Sequence, residues 1–93
     1  MLPIRTTDEF EQDLDELRRR DKDLDKLWEI VSVLRAEEEF DRDAYRDHAL
    51  HGQWADCRDL HVEDDWLLIY KIEDGCLNLV RTGRHKEIFR SWN

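Results

Sequence analysis

Five consecutive apolar residues, Trp66-Leu67-Leu68-Ile69-Tyr70, with Asp74-Gly75 shortly after them, constrain this chain more than anything else in it. A strand that is apolar without alternation has two faces to bury, so it must be covered from both sides. Asp-Gly signals a tight hairpin, because glycine accepts the positive φ that a primed turn needs. Strands from Trp66 to Glu73 and from Cys76 to Thr82 are therefore expected to run antiparallel, with a third from Ala55 to Val62 beside them. Cover has to come from the N-terminal half. There Leu2 to Arg5 reads as a short extended stretch, and Thr6 and Glu9 stand at capping-box spacing before a helix that begins near Thr7. Phe10, Leu14 and Leu17 form its narrow apolar stripe, and Arg18-Arg19-Arg20 suits its C-terminus. Asp21 or Asp23 then caps a second helix, whose buried face carries Leu24, Leu27, Trp28, Val31 and Leu34, widened by Ile30 and Val33. Glu37 to Trp54 has no sustained period and reads as a long irregular connection. Gly83 ends the last strand, and His85 to Trp92 has room for one or two helical turns. The expected architecture is α+β: an N-terminal helical hairpin packed on a small antiparallel sheet, with a short C-terminal helical segment, in a single domain spanning residues 1 to 93.

The longest apolar run falls far short of the ~20 residues that span a bilayer, and no basic-then-apolar leader opens the chain. A soluble cytoplasmic protein with no membrane partner is expected. Cys57 and Cys76 lie outside C-x-x-C spacing and read as reduced, buried thiols. Fifteen Lys and Arg against 24 Asp and Glu give a net charge of −9, which repels nucleic acid at long range. Only the stretch from Arg81 onward is net basic, which fits a small anion-binding patch on an acidic body.

His48, His51, His61, Asp65, Arg81, Arg84, His85 and Lys86 all fall in the second half of the chain. His48 and His51 have H-x-x-H spacing but no matching Cys or His pair nearby, so no metal site is expected. Ser32 sits mid-helix and Ser91 near the end, which fits no triad, and Cys57 inside a strand reads as a packing residue rather than a nucleophile. General acid–base chemistry remains. The connection Val62-Glu63-Asp64 brings His61 and Asp65 to one rim of the sheet, and the antiparallel return carries His85 close to Asp65. Two imidazoles and a carboxylate can move protons at neutral pH, while Arg81 offers a fixed positive charge to a phosphoryl oxygen. Plainer readings stand beside these: each histidine as a hydrogen-bonded surface residue, Trp66 as a packing residue and Phe89 as a seal on the core.

The segments Asp47-His48-Ala49-Leu50, then Gly52, then Arg58 to Tyr70, and finally Arg81 to Phe89 resemble, in ordered spacing over roughly residues 45 to 89, the YafQ branch of the RelE/ParE toxin superfamily. The resemblance implies the toxin of a type II toxin–antitoxin pair, acting as a ribosome-dependent endoribonuclease that cuts messenger RNA without a metal or other cofactor. Its implied partners are a cognate antitoxin of the DinJ or RelB kind, the ribosome and the message, with operator DNA reached only through the antitoxin. Carried over by position, His48, His61, Asp65 and His85 are the implied catalytic residues, with Arg81 as the phosphate contact. Trp66 and Phe89 are the implied substrate contacts, and Arg84 and Lys86, from the basic C-terminal stretch, are expected to bind substrate beside them. Cleavage by the ribose 2′-OH needs a base, an acid for the leaving 5′-oxygen and a cation for the phosphorane charge. His85 is the expected acid, His61 or Asp65 the base, and Phe89 a stacking platform for a splayed base. The alternative is a protein of the same fold that grips its antitoxin and represses its own operon with little or no nuclease activity. A high-salt cytoplasm would reconcile the acidic charge with an RNA partner, since near molar salt the Debye length falls to about 3 Å.

Overall fold

The structure, a computed structural model, describes residues 1–89. Its elements in chain order are β1 (Ile4–Thr6), α1 (Asp8–Arg19), α2 (Asp25–Arg35), β2 (His48–Ala49), a 3-10 turn at Gly52–Trp54, β3 (Arg58–Glu63), β4 (Trp66–Glu73), β5 (Cys76–Gly83) and α3 (His85–Phe89). The five strands form one sheet in the order β1-β5-β4-β3-β2. All neighbours are antiparallel except β1, which lies parallel to β5. The sheet is therefore mixed where the sequence led us to expect an antiparallel one.

That edge strand also moves the start of α1. Thr6 is spent on β1, opposite Leu79, so Thr7 and not Thr6 is the N-cap, with its Oγ1 accepting from the Phe10 amide at 2.9 Å. The same hydroxyl donates to the Val80 carbonyl at 2.6 Å, which ties the helix start to β5. Both helices stop without glycine. Asp21 (φ 56°) and Glu37 (φ 58°) adopt the left-handed conformation. The amides of Lys22 and Glu38 reach back to the carbonyls of Leu17 and Val33, the 6→1 bond of a Schellman stop. Asp21 thus ends α1, whereas Asp23 accepts from the Asp25 amide at 2.9 Å to begin α2.

The central strand is covered on both faces. On one side Leu60, Trp66, Leu68, Tyr70, Leu77 and Leu79 pack against Phe10, Leu14 and Leu17 of α1 and Leu27, Ile30, Val31 and Leu34 of α2. Trp28, expected on the buried face of α2, is 37% exposed. Four other apolar residues already fill that stripe, so the bulkiest side chain is left at the margin. On the other side Cys57, Leu67, Ile69 and Ile88 form a second cluster, flanked by Leu50, Trp54, Val80 and Phe89. Both cysteines are free and buried.

The connection from Glu37 to Trp54 is more ordered than its lack of periodicity implied, because it carries β2 and is anchored by Asp47. That carboxylate is fully buried and accepts from Arg58 Nε at 2.6 Å, from Arg42 Nη1 at 2.8 Å and from the Tyr70 hydroxyl. Burial, with the Asp47 charge beside it, pushes the Tyr70 phenol up to about 12. Among the described residues, no helix is long and apolar enough to cross a membrane. The expected C-terminal helical segment is present as α3; its continuation toward Trp92, and Ser91, lie outside the described residues.

Candidate active site

Strand register builds the site. His48 pairs with Asp59, Asp59 with Ile69, and Ile69 with Arg81, so four strands contribute to one row. In the next row His61 pairs with Leu67, and Leu67 with Gly83. Leu67 and Ile69 belong to the cluster on the face away from α1 and α2. Directly paired residues share a face, so His48, Asp59 and His61 belong to that face too. Gly83, at φ 149°, then turns the chain off β5 in a conformation that L side chains rarely adopt. The short α3 folds back with Ile88 against the same cluster and sets His85 at its first turn.

Two of the imidazoles are fixed in their tautomers. His48 Nδ1 lies 2.8 Å from the Arg46 carbonyl and His61 Nδ1 lies 3.0 Å from the Asp64 carbonyl. A carbonyl only accepts, so each Nδ1 carries a proton, and in the neutral form of each ring the lone pair therefore lies on Nε2. Both rings are thereby set up as bases. His85 has a different setting: its ring lies 4.8 Å from the Phe89 ring, centroid to centroid, and Phe89 in turn meets Trp54 edge-on at 5.7 Å. The Asp65 carboxylate accepts from the His85 backbone amide at 3.3 Å. It therefore supports the turn that carries His85, and the link between the two is through the backbone rather than between side chains.

Asp59 had no role in the sequence analysis, yet it stands at the centre of the cluster. It is 3% exposed, its Oδ1 has no hydrogen-bond partner among the described residues, and His48 Nδ1 is 3.8 Å away. Burial pushes its carboxyl above the usual aspartate range, while the charges of His48, His61 and His85 pull it back down. Its one sequence signal was a charged residue at an inward position of a strand, between Cys57 and His61. A carboxyl raised in the folded state contributes stability at low pH that is lost as pH rises through its folded pKa. Asp59→Asn does not titrate, so its advantage over the parent should grow through that window and then level off. At alkaline pH we expect it to be more stable by about 0.5–2 kcal/mol, read as the difference between thermal unfolding curves across a pH series.

The remaining expected site residues separate. Trp66 is 2% exposed on the helix-covered face, where its Nε1 donates to Thr82 Oγ1 at 2.9 Å and Lys22 lies over its ring at 5.0 Å. The ring thus packs on the opposite side of the sheet from the histidines, in keeping with the plainer reading of Trp66. Arg81 is engaged by Asp13 of α1, at 2.7 Å from Nε and 3.0 Å from Nη2. The cause is a bulge, which leaves Val80 without a partner between Leu79, opposite Tyr70, and Arg81, opposite Ile69, and a bulge re-aims the side chain that follows it. Arg84 and Lys86 are exposed at the α3 rim, with Arg84 Nη2 3.1 Å from Glu87. His51 is exposed beside the 3-10 turn. Among the described residues, no group of three or more His, Cys, Asp or Glu is gathered closely enough to hold a metal ion.

The chain as a whole has counterparts in known proteins. A family model described as the bacterial toxin of a type II toxin–antitoxin system, YafQ, matches residues 2–90. The chain belongs to the YafQ toxin family. It is 37% identical over 86 residues to the mRNA interferase toxin YafQ of Escherichia coli K12, covering 92% of this chain and 94% of that one. Among solved structures it is similar to YafQ in the Escherichia coli DinJ–YafQ toxin–antitoxin complex, with a TM-score of 0.85, 36% identity, and 95% and 97% of the two chains covered. A metal-bound toxin from Helicobacter pylori gives a TM-score of 0.87 at 38% identity, over 96% of this chain and all of that one. The YafQ resemblance noted from the sequence thus extends over nearly the whole chain, helices included.

Proposed function

We propose that this YafQ-family toxin is a single domain, residues 1–93, that cleaves messenger RNA on the ribosome by general acid–base catalysis. The observation that carries the proposal is the tautomer of His48 and His61: two backbone carbonyls hold the Nδ1 protons and leave two Nε2 lone pairs on the face shared with Asp59, close to α3 and His85. In the reaction, His61 takes the proton from the ribose 2′-OH, with His48 as a second base on the same face. The 2′-oxygen attacks phosphorus, the bond from phosphorus to the 5′-oxygen breaks, and His85 protonates the departing oxygen. Asp65 holds the α3 turn and so acts through His85, which favours His61 over Asp65 as the base. Arg81 meets the charge that builds on the phosphorane. Phe89 stacks on a splayed base, and Arg84 and Lys86 contact flanking phosphates. Every step is carried by side chains of this protein.

The partner of the resting state is an antitoxin of the DinJ kind, through which operator DNA is reached, and the site of action is the cytoplasm. A charge of −9 favours a second reading, in which ribosome affinity is too weak for nuclease activity and antitoxin binding is the main role. Messenger cleavage in translating extract over a salt series separates the two. We expect cleavage of ribosome-bound message that strengthens as salt screens the repulsion, and none of the same RNA without ribosomes. Absence of cleavage at every salt concentration, with tight antitoxin binding, would support the second reading.

A further inference from the structure

We infer that Asp13 is a positioning residue for Arg81, holding the guanidinium by one edge so that its other edge faces the scissile phosphate. The inference rests on the reading of Arg81 as the phosphate clamp. Asp13 takes the Nε and Nη2 hydrogens of Arg81 with its two oxygens. A guanidinium has five N–H groups. Neither N–H of Nη1 has a partner among the described residues, and one on Nη2 remains as well. A pair made only for stability would lose nothing by an end-on fork through both Nη groups. The side-on grip instead leaves the Nη1–Nη2 edge without a partner among the described residues, and that edge suits two oxygens of a phosphate.

Asp13 is itself held from two directions. Its Oδ2 also accepts from the Thr82 amide at 3.0 Å. That amide lies beyond Leu79, where β1 stops pairing with β5, so the carboxylate stands where a longer edge strand would have placed a carbonyl. On α1, Phe10, Leu14 and Leu17 fall three before, one after and four after Asp13, and all three are buried in the core. The pair is also sheltered, with side-chain exposures of 25% for Arg81 and 16% for Asp13, so solvent screens it less than an open surface pair. A free arginine on a bulge would have to be ordered as the transition state forms, whereas this one is ordered beforehand.

The test compares the parent chain with Asp13→Asn, Asp13→Glu, Arg81→Ala and the Asp13→Asn/Arg81→Ala double variant, each assayed for cleavage of ribosome-bound message at saturating and limiting concentrations. Asparagine keeps an acceptor for the Thr82 amide, and thermal unfolding checks that each variant is folded. Arg81→Ala should slow the saturated rate by about a hundredfold, as expected for loss of one transition-state donor. Asp13→Asn should slow it by about tenfold with the half-saturating concentration unchanged, and should add nothing in the Arg81→Ala background. Asp13→Glu, which keeps the charge, should recover most of the rate. If Asp13→Asn costs the same factor with or without Arg81, or changes only the melting temperature, the inference is overturned. If Arg81→Ala alone cleaves at the parent rate, the clamp reading itself fails and takes the inference with it, an outcome visible without any Asp13 variant.

Discussion

His85→Ala should lower the rate of message cleavage by about 10²–10⁴-fold, the range for losing a positioned general acid, and should leave the fold intact. The side chain is exposed at the first turn of α3, and its amide keeps its bond to Asp65 whatever the side chain is. Loss of a proton donor at the leaving oxygen acts on the chemical step, so the fall belongs in the saturated rate rather than in the half-saturating concentration. His48→Ala and His61→Ala should behave differently, because each leaves the other ring, held at Nδ1 by a backbone carbonyl, on the same face. Each single loss should be smaller than that of His85→Ala, and the double variant should approach it. Single-turnover cleavage of ribosome-bound message measures all four. Near-parental cleavage by His85→Ala would remove the acid from the mechanism.

Asp47→Ala should cost about 1.5–3 kcal/mol of stability, the range for losing a hydrogen bond to a charged group. Small domains have only about 5–15 kcal/mol in total, so a substantial part of the chain's margin would go. The reason is local: Arg42, Arg58 and Tyr70 all donate to this one fully buried carboxylate. Its loss leaves the buried phenol without its acceptor, while the guanidinium groups of Arg42 and Arg58, 54% and 38% exposed, can turn to water. Tyr70→Phe removes only one of the three donors and should cost about 1–2 kcal/mol. The network also predicts an alkaline limit. The Tyr70 phenol sits at about 12 in the folded protein against about 10 for an exposed tyrosine. Its contribution is thus whole below pH 10 and is lost as pH rises through 12. Urea unfolding of the three proteins checks the order, and a pH series shows whether Tyr70→Phe flattens the alkaline fall.

Features carried by a local pattern were legible in the sequence. The apolar run and Asp74-Gly75 placed β4 with its bounds, and the expected β5 stopped one residue short of its end at Gly83. The stripe of Phe10, Leu14 and Leu17 gave the buried face of α1. Features set by pairing across long sequence distances were not. The extended stretch expected at Leu2 to Arg5 overlaps β1, but its exposed residues gave no sign of pairing with β5. β2 is two residues held by β3, and the stop of α2 at Glu37 carries no glycine to announce it, whereas α1 ended at the expected basic run. In the candidate site, the ordered motif singled out the histidines, while the roles proposed for them rest on contacts that spacing cannot show. A carbonyl from Arg46 or Asp64 fixes a tautomer, and a carboxylate 68 positions away holds Arg81. Asp59 was overlooked because a lone aspartate in a strand reads as a surface residue until the register puts three imidazoles around it.

The chemistry left on the cut ends tests the acid–base mechanism most directly. Message bound to ribosomes and cleaved by the purified chain, with magnesium kept at the level that holds ribosomes together, should carry a 2′,3′-cyclic phosphate or its 3′-phosphate product upstream of the cut and a 5′-hydroxyl downstream, as attack by the ribose oxygen requires. A 3′-hydroxyl paired with a 5′-phosphate would contradict it.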